Sequence, residues 1–207
     1  MKNLIKKIIK VELLSEEKVI NFNNPYNNFV VIAGGPGAGK SFITNNLINL
    51  GNVKAFNVDQ VRVMTAKKLW GDEWEEKIST PEGYQQILDM TYTTSDPKNL
   101  TVRFLKQFLQ QERDQGVNIV YDAGGGQEQV MKEVWKLAKD SGFNTTLVYV
   151  RTPLELAQIR NAERPRSLPP EMVAKYHEKV KNNVEYYLEK AGLLTKTTKF
   201  KNQSPRR

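Results

Sequence analysis

The stretch Phe29-Val30-Val31-Ile32-Ala33-Gly34-Gly35-Pro36-Gly37-Ala38-Gly39-Lys40-Ser41 decides the fold. Its first five residues form an apolar, β-branched run with the length of a buried strand. Residues 34–41 then match the pattern G-x-x-x-x-G-K-[ST] at every fixed position. Beyond it, Phe42, Ile43, Leu47, Ile48 and Leu50 recur at helical spacing, so a helix is expected to run to a stop at Gly51. Strand, glycine loop and helix together aim backbone N–H groups and a helix N-terminus at a polyphosphate. Gly35, Pro36, Gly37, Ala38 and Gly39 form the cradle. Lys40 is expected at the β- and γ-phosphates, and the Ser41 hydroxyl at Mg²⁺. A nucleoside triphosphate with Mg²⁺ is therefore the implied ligand.

Working outward, three further apolar runs follow at 53–58, 117–121 and 145–150, the last two each introduced by a glycine. Between those two, Val130, Met131, Val134, Trp135 and Ala138 mark one face of a helix. Alternating strands and helices argue for an α/β, three-layer fold: a parallel sheet flanked by helices. The interval from about 60 to 115 exceeds a plain crossover and is expected to hold helices near 60–70, 82–92 and 99–113. Trp70 and Trp74 would share a face if the first helix passed Gly71, and packing of this inserted region is the simpler reading of them. A final helix is expected over roughly 170–191, with His177, the only histidine, beside its apolar face in a structural or solvated role.

At 207 residues with 39 % hydrophobic and 26 % charged content, the chain can bury one ordinary core. It has no cysteine, which excludes disulfides and thiolate chemistry. No apolar run is long enough for membrane insertion, and no secretory signal pattern opens the chain, so a cytoplasmic protein is expected. The net charge of +8 is concentrated at the ends. Lys2, Lys6, Lys7 and Lys10 lie within residues 1–10, and Lys196, Lys199, Lys201, Arg206 and Arg207 within 193–207, with no acid in either stretch. Such ends can draw nucleic acid through phosphate contacts or be plain solvated tails. Leu4, Ile5, Ile8, Ile9 and Leu13 fit a short amphipathic helix. The expected organisation is a basic N-terminal extension over 1–28, a nucleotide-binding domain over 29–192 and a basic tail over 193–207.

Candidate catalytic residues fall at the carboxyl ends of the expected strands, where an open α/β sheet binds its ligands. Asp59 follows the second strand in Asn57-Val58-Asp59-Gln60-Val61-Arg62. A carboxylate there can take a proton from an attacking hydroxyl, or it can simply cap the next helix. Arg62 can clamp an anion with its planar fork. Asp122 ends the third strand and suits a Mg²⁺ role, direct or through the ion's own ligands, on the substrate-binding side of the site. Ala123 follows it where a water-activating ATPase would be expected to carry a glutamate. After the fourth strand, Thr152-Pro153-Leu154-Glu155 reads as a capping box that opens a helix. That helix leads to Arg160, Arg164 and Arg166, three arginines within seven residues. They read as a lid over the triphosphate, with an exposed cationic helix end as the alternative.

These elements resemble the kinase domain of phage polynucleotide kinases and the zeta-toxin-like P-loop kinases. The likeness rests on Gly35-Pro36-Gly37-Ala38-Gly39-Lys40-Ser41, on Asn57-x-Asp59-x-x-Arg62 and on Arg160-Asn161-x-x-Arg164, and runs over about 29–191. It implies that Asp59 is the general base, that Arg62 contacts the acceptor side, and that Arg164, helped by Arg160, stabilises the transferred phosphoryl group. It departs at Asp122-Ala123-Gly124, where the polynucleotide kinases tend to show Asp-Thr-Asn. The expected activity is Mg²⁺- and ATP-dependent transfer to a hydroxyl of nucleic acid, a nucleoside or a nucleotide sugar. A P-loop ATPase or a nucleotide-gated switch without an acceptor is the rival.

Overall fold

The computed structural model describes residues 7–13, 20–22, 24–46, 48–92, 100–124, 128–164, 167–191 and 196–200. In chain order the elements are β1 (Lys7–Leu13), β2 (Ile20–Asn21), β3 (Asn28–Ala33), α1 (Lys40–Asn46), β4 (Ile48–Asn49), β5 (Val53–Asn57) and α2 (Val58–Trp70). After a 3₁₀ turn come α3 (Trp74–Ile78), α4 (Pro81–Tyr92), α5 (Leu100–Glu112), β6 (Asn118–Gly124) and α6 (Glu128–Asp140). The chain continues through β7 (Asn144–Arg151), α7 (Leu154–Ala162), α8 (Pro170–Ala191) and β8 (Lys196–Phe200).

Among the described residues, six strands form one sheet in the order β5-β6-β3-β7-β1-β8, and every pair is parallel. The alternation of a buried strand divides its side chains between two faces. Val30, Ile32, Val120, Val148 and Val150 meet Ala38 and Ile43 of the glycine loop and α1. Phe29, Val31, Phe56, Ile119, Tyr121 and Leu147 lie under α2, α5, α6 and α8, with Trp135 fully buried among them. Phe56 and Tyr121 stack with ring centroids 5.7 Å apart. Helices therefore cover both faces, the three-layer α/β arrangement expected from the sequence. β3 sits between β6 and β7, so the loop at its carboxyl end opens between two flanking strand ends.

Four local expectations are corrected. Residues 7–13 form a strand paired to β7 and β8, not an amphipathic helix. Ile9, Val11 and Leu13 alternate with Lys10 and Glu12, and that period of two, rich in β-branched residues, prevails over the i, i+4 spacing. The helix after the glycine loop ends at Asn46, and Ile48–Asn49 pairs with Ile20–Asn21. Polar side chains turn back on the helix there: Thr44 Oγ1 donates to the Lys40 carbonyl and Asn46 Nδ2 to that of Phe42. Leu47 lies outside the described residues. α2 does not pass Gly71, which takes φ 57° and closes it. Trp70 and Trp74 still pack together against Ala66, Ile78 and Ile87, the structural role read for them. The fourth correction, at Thr152, belongs to the site.

Candidate active site

The phosphate-loop pattern builds a tight turn braced on all sides. Gly34 N–H donates to the Gly124 carbonyl at 3.1 Å, tying the loop's start to the end of β6. Gly37 and Gly39 take φ of 73° and 93°, left-handed values that favour glycine. At Gly37 a Cβ would also stand 2.0 Å from the Ala157 carbonyl oxygen of α7. Lys40 Nζ donates to the Gly34 carbonyl at 3.1 Å, which folds the lysine back over the loop. Two contacts were not legible in the sequence. Thr152 does not cap α7: no side-chain cap bond is made there, and its hydroxyl donates to the Ala38 carbonyl at 2.7 Å. His177 of α8 reaches the Pro36 carbonyl with Nε2 at 2.8 Å.

Asp59 stands in the first turn of α2, and the cap is Asn57, whose Oδ1 accepts from the Asp59 N–H at 2.8 Å. The carboxylate of Asp59 is thereby left for other work. It accepts from Nη1 of Arg62, one helical turn on; the Arg62 side chain is 13 % exposed and that of Asp59 78 %. The arginine is thus packed into the wall while the carboxylate projects into open space. That space is a cleft of about 830 Å³ lined by Gly34, Gly35, Pro36, Lys40, Asp59, Arg62 and Arg164 together with residues of α4 and α8. The second strand end, the phosphate loop and the segment after α7 thus converge on one cavity.

Electrostatics couples the same residues. Burial pushes the Lys40 ammonium below its ordinary value, Arg164 adds to that, and Asp122 and Asp59 oppose it. Burial raises the Asp122 carboxyl, and proximity to Lys40 pulls it back down. Asp122 pairs in register with both Ile32 and Asn57, which puts it between the loop and Asp59. Arg160, in the last turn of α7, is partly desolvated and lies outside the residues lining the cleft. Arg164 follows α7 in a short loop held by Asn161, whose amide donates to the Leu168 carbonyl at 2.8 Å and accepts from the Leu168 N–H. Arg166 lies outside the described residues, as do Gly125 and Gly126.

A lysine whose folded-state pKa is depressed binds fewer protons folded than unfolded. Its charge therefore costs stability below the folded pKa, and the cost fades as pH rises toward the ordinary value of 10.5. Lys40→Met should accordingly raise the melting temperature of the ligand-free protein at neutral pH while abolishing any thermal shift on adding Mg·ATP. Differential scanning calorimetry with and without nucleotide checks both arms.

The donors present suit a hard cation. Ser41 is exposed at the start of α1, and the Asp122 carboxylate lies in the electrostatic neighbourhood of Lys40. Among the described residues no group of three or more His, Cys, Asp or Glu side chains could hold a metal alone. Mg²⁺ bound here would share its shell with phosphate oxygens and water, its usual habit in phosphoryl-transfer sites.

A family model described as an AAA domain matches residues 29–185. Among solved structures, the chain is similar to the Pnkp1/Rnl/Hen1 RNA repair complex, at 14 % identity over 80 % of this chain and 47 % of that one, with a TM-score of 0.50. It is also similar to AvrRxo1-ORF1:AvrRxo1-ORF2 with sulphate ions, at 20 % identity over 80 % and 50 %, with a TM-score of 0.55. A third likeness is to the PezAT chromosomal toxin-antitoxin system of Streptococcus pneumoniae, at 14 % identity over 90 % and 70 %, with a TM-score of 0.49. The chain spans about half the length of the first two, and at these identities the likeness is one of fold. No curated protein matches.

Proposed function

The chain belongs to this AAA-domain family, a P-loop kinase-like domain, and from that premise we propose that it transfers the γ-phosphoryl group of ATP to a hydroxyl acceptor. The observation that supports this reading is the convergence of Lys40, Asp59, Arg62 and Arg164 on one cleft beside the phosphate loop. Backbone N–H groups of the glycine loop, Pro36 having none, and the Lys40 ammonium hold the β- and γ-phosphates. Asp59 takes the proton of the acceptor hydroxyl as its oxygen bonds to the γ-phosphorus and the bond to the β,γ-bridging oxygen breaks, releasing ADP. Arg164 neutralises charge on the transferred group, and Arg62 holds the acceptor and Asp59 in place. Ser41 is the residue that would hold Mg²⁺, with Asp122 beside it; the bound ion would supply charge neutralisation on the phosphate oxygens.

The acceptor class follows the resemblance: a nucleic-acid 5′-hydroxyl, a nucleoside or a nucleotide sugar. The basic ends supply an attraction for nucleic acid, and a cytoplasmic setting would suit an ATP-dependent reaction. Among the described residues no helix is long and apolar enough to cross a membrane. The rival, an ATPase without acceptor, predicts brisk hydrolysis of ATP alone. A kinase guards its γ-phosphate from water until the acceptor closes the site. ATP turnover by the purified chain should therefore be slow alone and rise sharply with one member of a panel of oligonucleotides, nucleosides and nucleotide sugars. Fast turnover indifferent to every member would favour the rival.

A further inference from the structure

We infer that Thr152 and His177 are positioning residues that hold the phosphate loop in its ligand-ready shape, an inference that rests on the kinase reading above. A loop that turns its N–H groups toward a polyphosphate must turn carbonyls the other way, and buried carbonyls need donors. Two of them find donors far away in sequence. Thr152 Oγ1 donates to the Ala38 carbonyl at 2.7 Å, and Thr152 itself is buried at 6 % exposure. His177 Nε2 lies 2.8 Å from the Pro36 carbonyl. A carbonyl oxygen only accepts, so this nitrogen carries the proton.

Sterics fix the same face. The His177 ring occupies the space over Gly35, where an added Cβ would stand 2.2 Å from it. The loop is gripped on its outer side by the β7–α7 junction, by α7 and by α8. Its inner side, at Gly34, Gly35, Pro36 and Lys40, faces the reaction cleft. Thr152 and His177 are absent from that cleft and line a separate groove together with Tyr149, Arg151 and Lys181. Neither therefore touches the reacting atoms. They act through the loop, by setting its carbonyls before the triphosphate arrives, so that less ordering is left to binding.

The test uses the full chain and four variants. Thr152→Val keeps the shape and removes the hydroxyl, and Thr152→Ser keeps the hydroxyl. His177→Ala removes the donor, and His177→Gln places an amide N–H near the position of Nε2. Thr152→Val and His177→Ala should each weaken Mg·ATP binding in calorimetry by about tenfold, the worth of one well-made hydrogen bond. The Ser and Gln variants should recover most of the loss. KM for ATP should rise in parallel while kcat at saturating ATP stays near wild type, the mark of lost ground-state binding. Unchanged affinity in the Val and Ala variants, Ser and Gln variants no better than these, or a fall in kcat at unchanged KM would each overturn the proposal. Absence of Mg·ATP binding by the wild type would instead sink the kinase reading. In that event, hydrogen exchange of the ligand-free loop amides decides the bracing: faster exchange over residues 34–40 in the Val and Ala variants upholds it, and identical exchange overturns it.

Discussion

Phosphoryl transfer by the Arg164→Ala protein should fall by about 10³-fold or more, the scale set by a single arginine that meets charge on a γ-phosphoryl group. Among the described residues, Arg164 is the arginine after α7 that lines the cleft, and its charge is felt by both Lys40 and Asp122. ATP binding should change far less, because the charge is needed mainly where the phosphoryl group is in flight. Single-turnover rates beside calorimetric affinities separate the two effects. A variant that loses ATP affinity as steeply as rate would make Arg164 a ground-state binding residue. Arg160→Ala should cost much less, since Arg160 does not line the cleft.

Asp59→Asn should lower transfer by about 10²- to 10⁴-fold, the worth of a positioned general base. The substitution keeps the size of the side chain, and the N-cap of α2 is untouched because Asn57 supplies it. Folding and Mg·ATP binding should therefore survive, which isolates the proton-transfer step. The Arg62 partner loses its counter-charge, so some weakening of acceptor affinity should accompany the loss of rate. Near wild-type transfer by Asp59→Asn would remove the base from the mechanism.

How much of this could be read from the sequence depends on the reach of each interaction. The phosphate loop is eight consecutive residues between a β-branched strand and a helix, so strand and loop were legible together. Asp59 and Arg62 were legible because their partnership spans three residues and follows a strand end. The first strand was misread because Lys7–Leu13 satisfies both a helical and a strand period. Only pairing to β7, more than a hundred residues away, decides between them. Thr152 was read as a cap because Thr-Pro-x-Glu is a strong local signal. Its hydroxyl is taken instead by Ala38, 114 residues earlier. His177 lacked any local partner to mark it, since its contact lies 141 residues upstream. Asn161 stood in plain view between two arginines, and its bonds to Leu168 could have been suspected from an amide placed just before a proline-rich turn.

On the proposed mechanism the γ-phosphoryl group goes to a hydroxyl acceptor and not to water. Running the reaction in ¹⁸O-labelled water, with a pool of 5′-hydroxyl oligonucleotides, nucleosides and nucleotide sugars, follows the attacking oxygen directly. The expected product is a phosphorylated member of the pool whose bridging oxygen is the unlabelled oxygen of its own hydroxyl, with little labelled inorganic phosphate. Inorganic phosphate carrying one solvent ¹⁸O as the main product, with every member of the pool left unmodified, would contradict that mechanism.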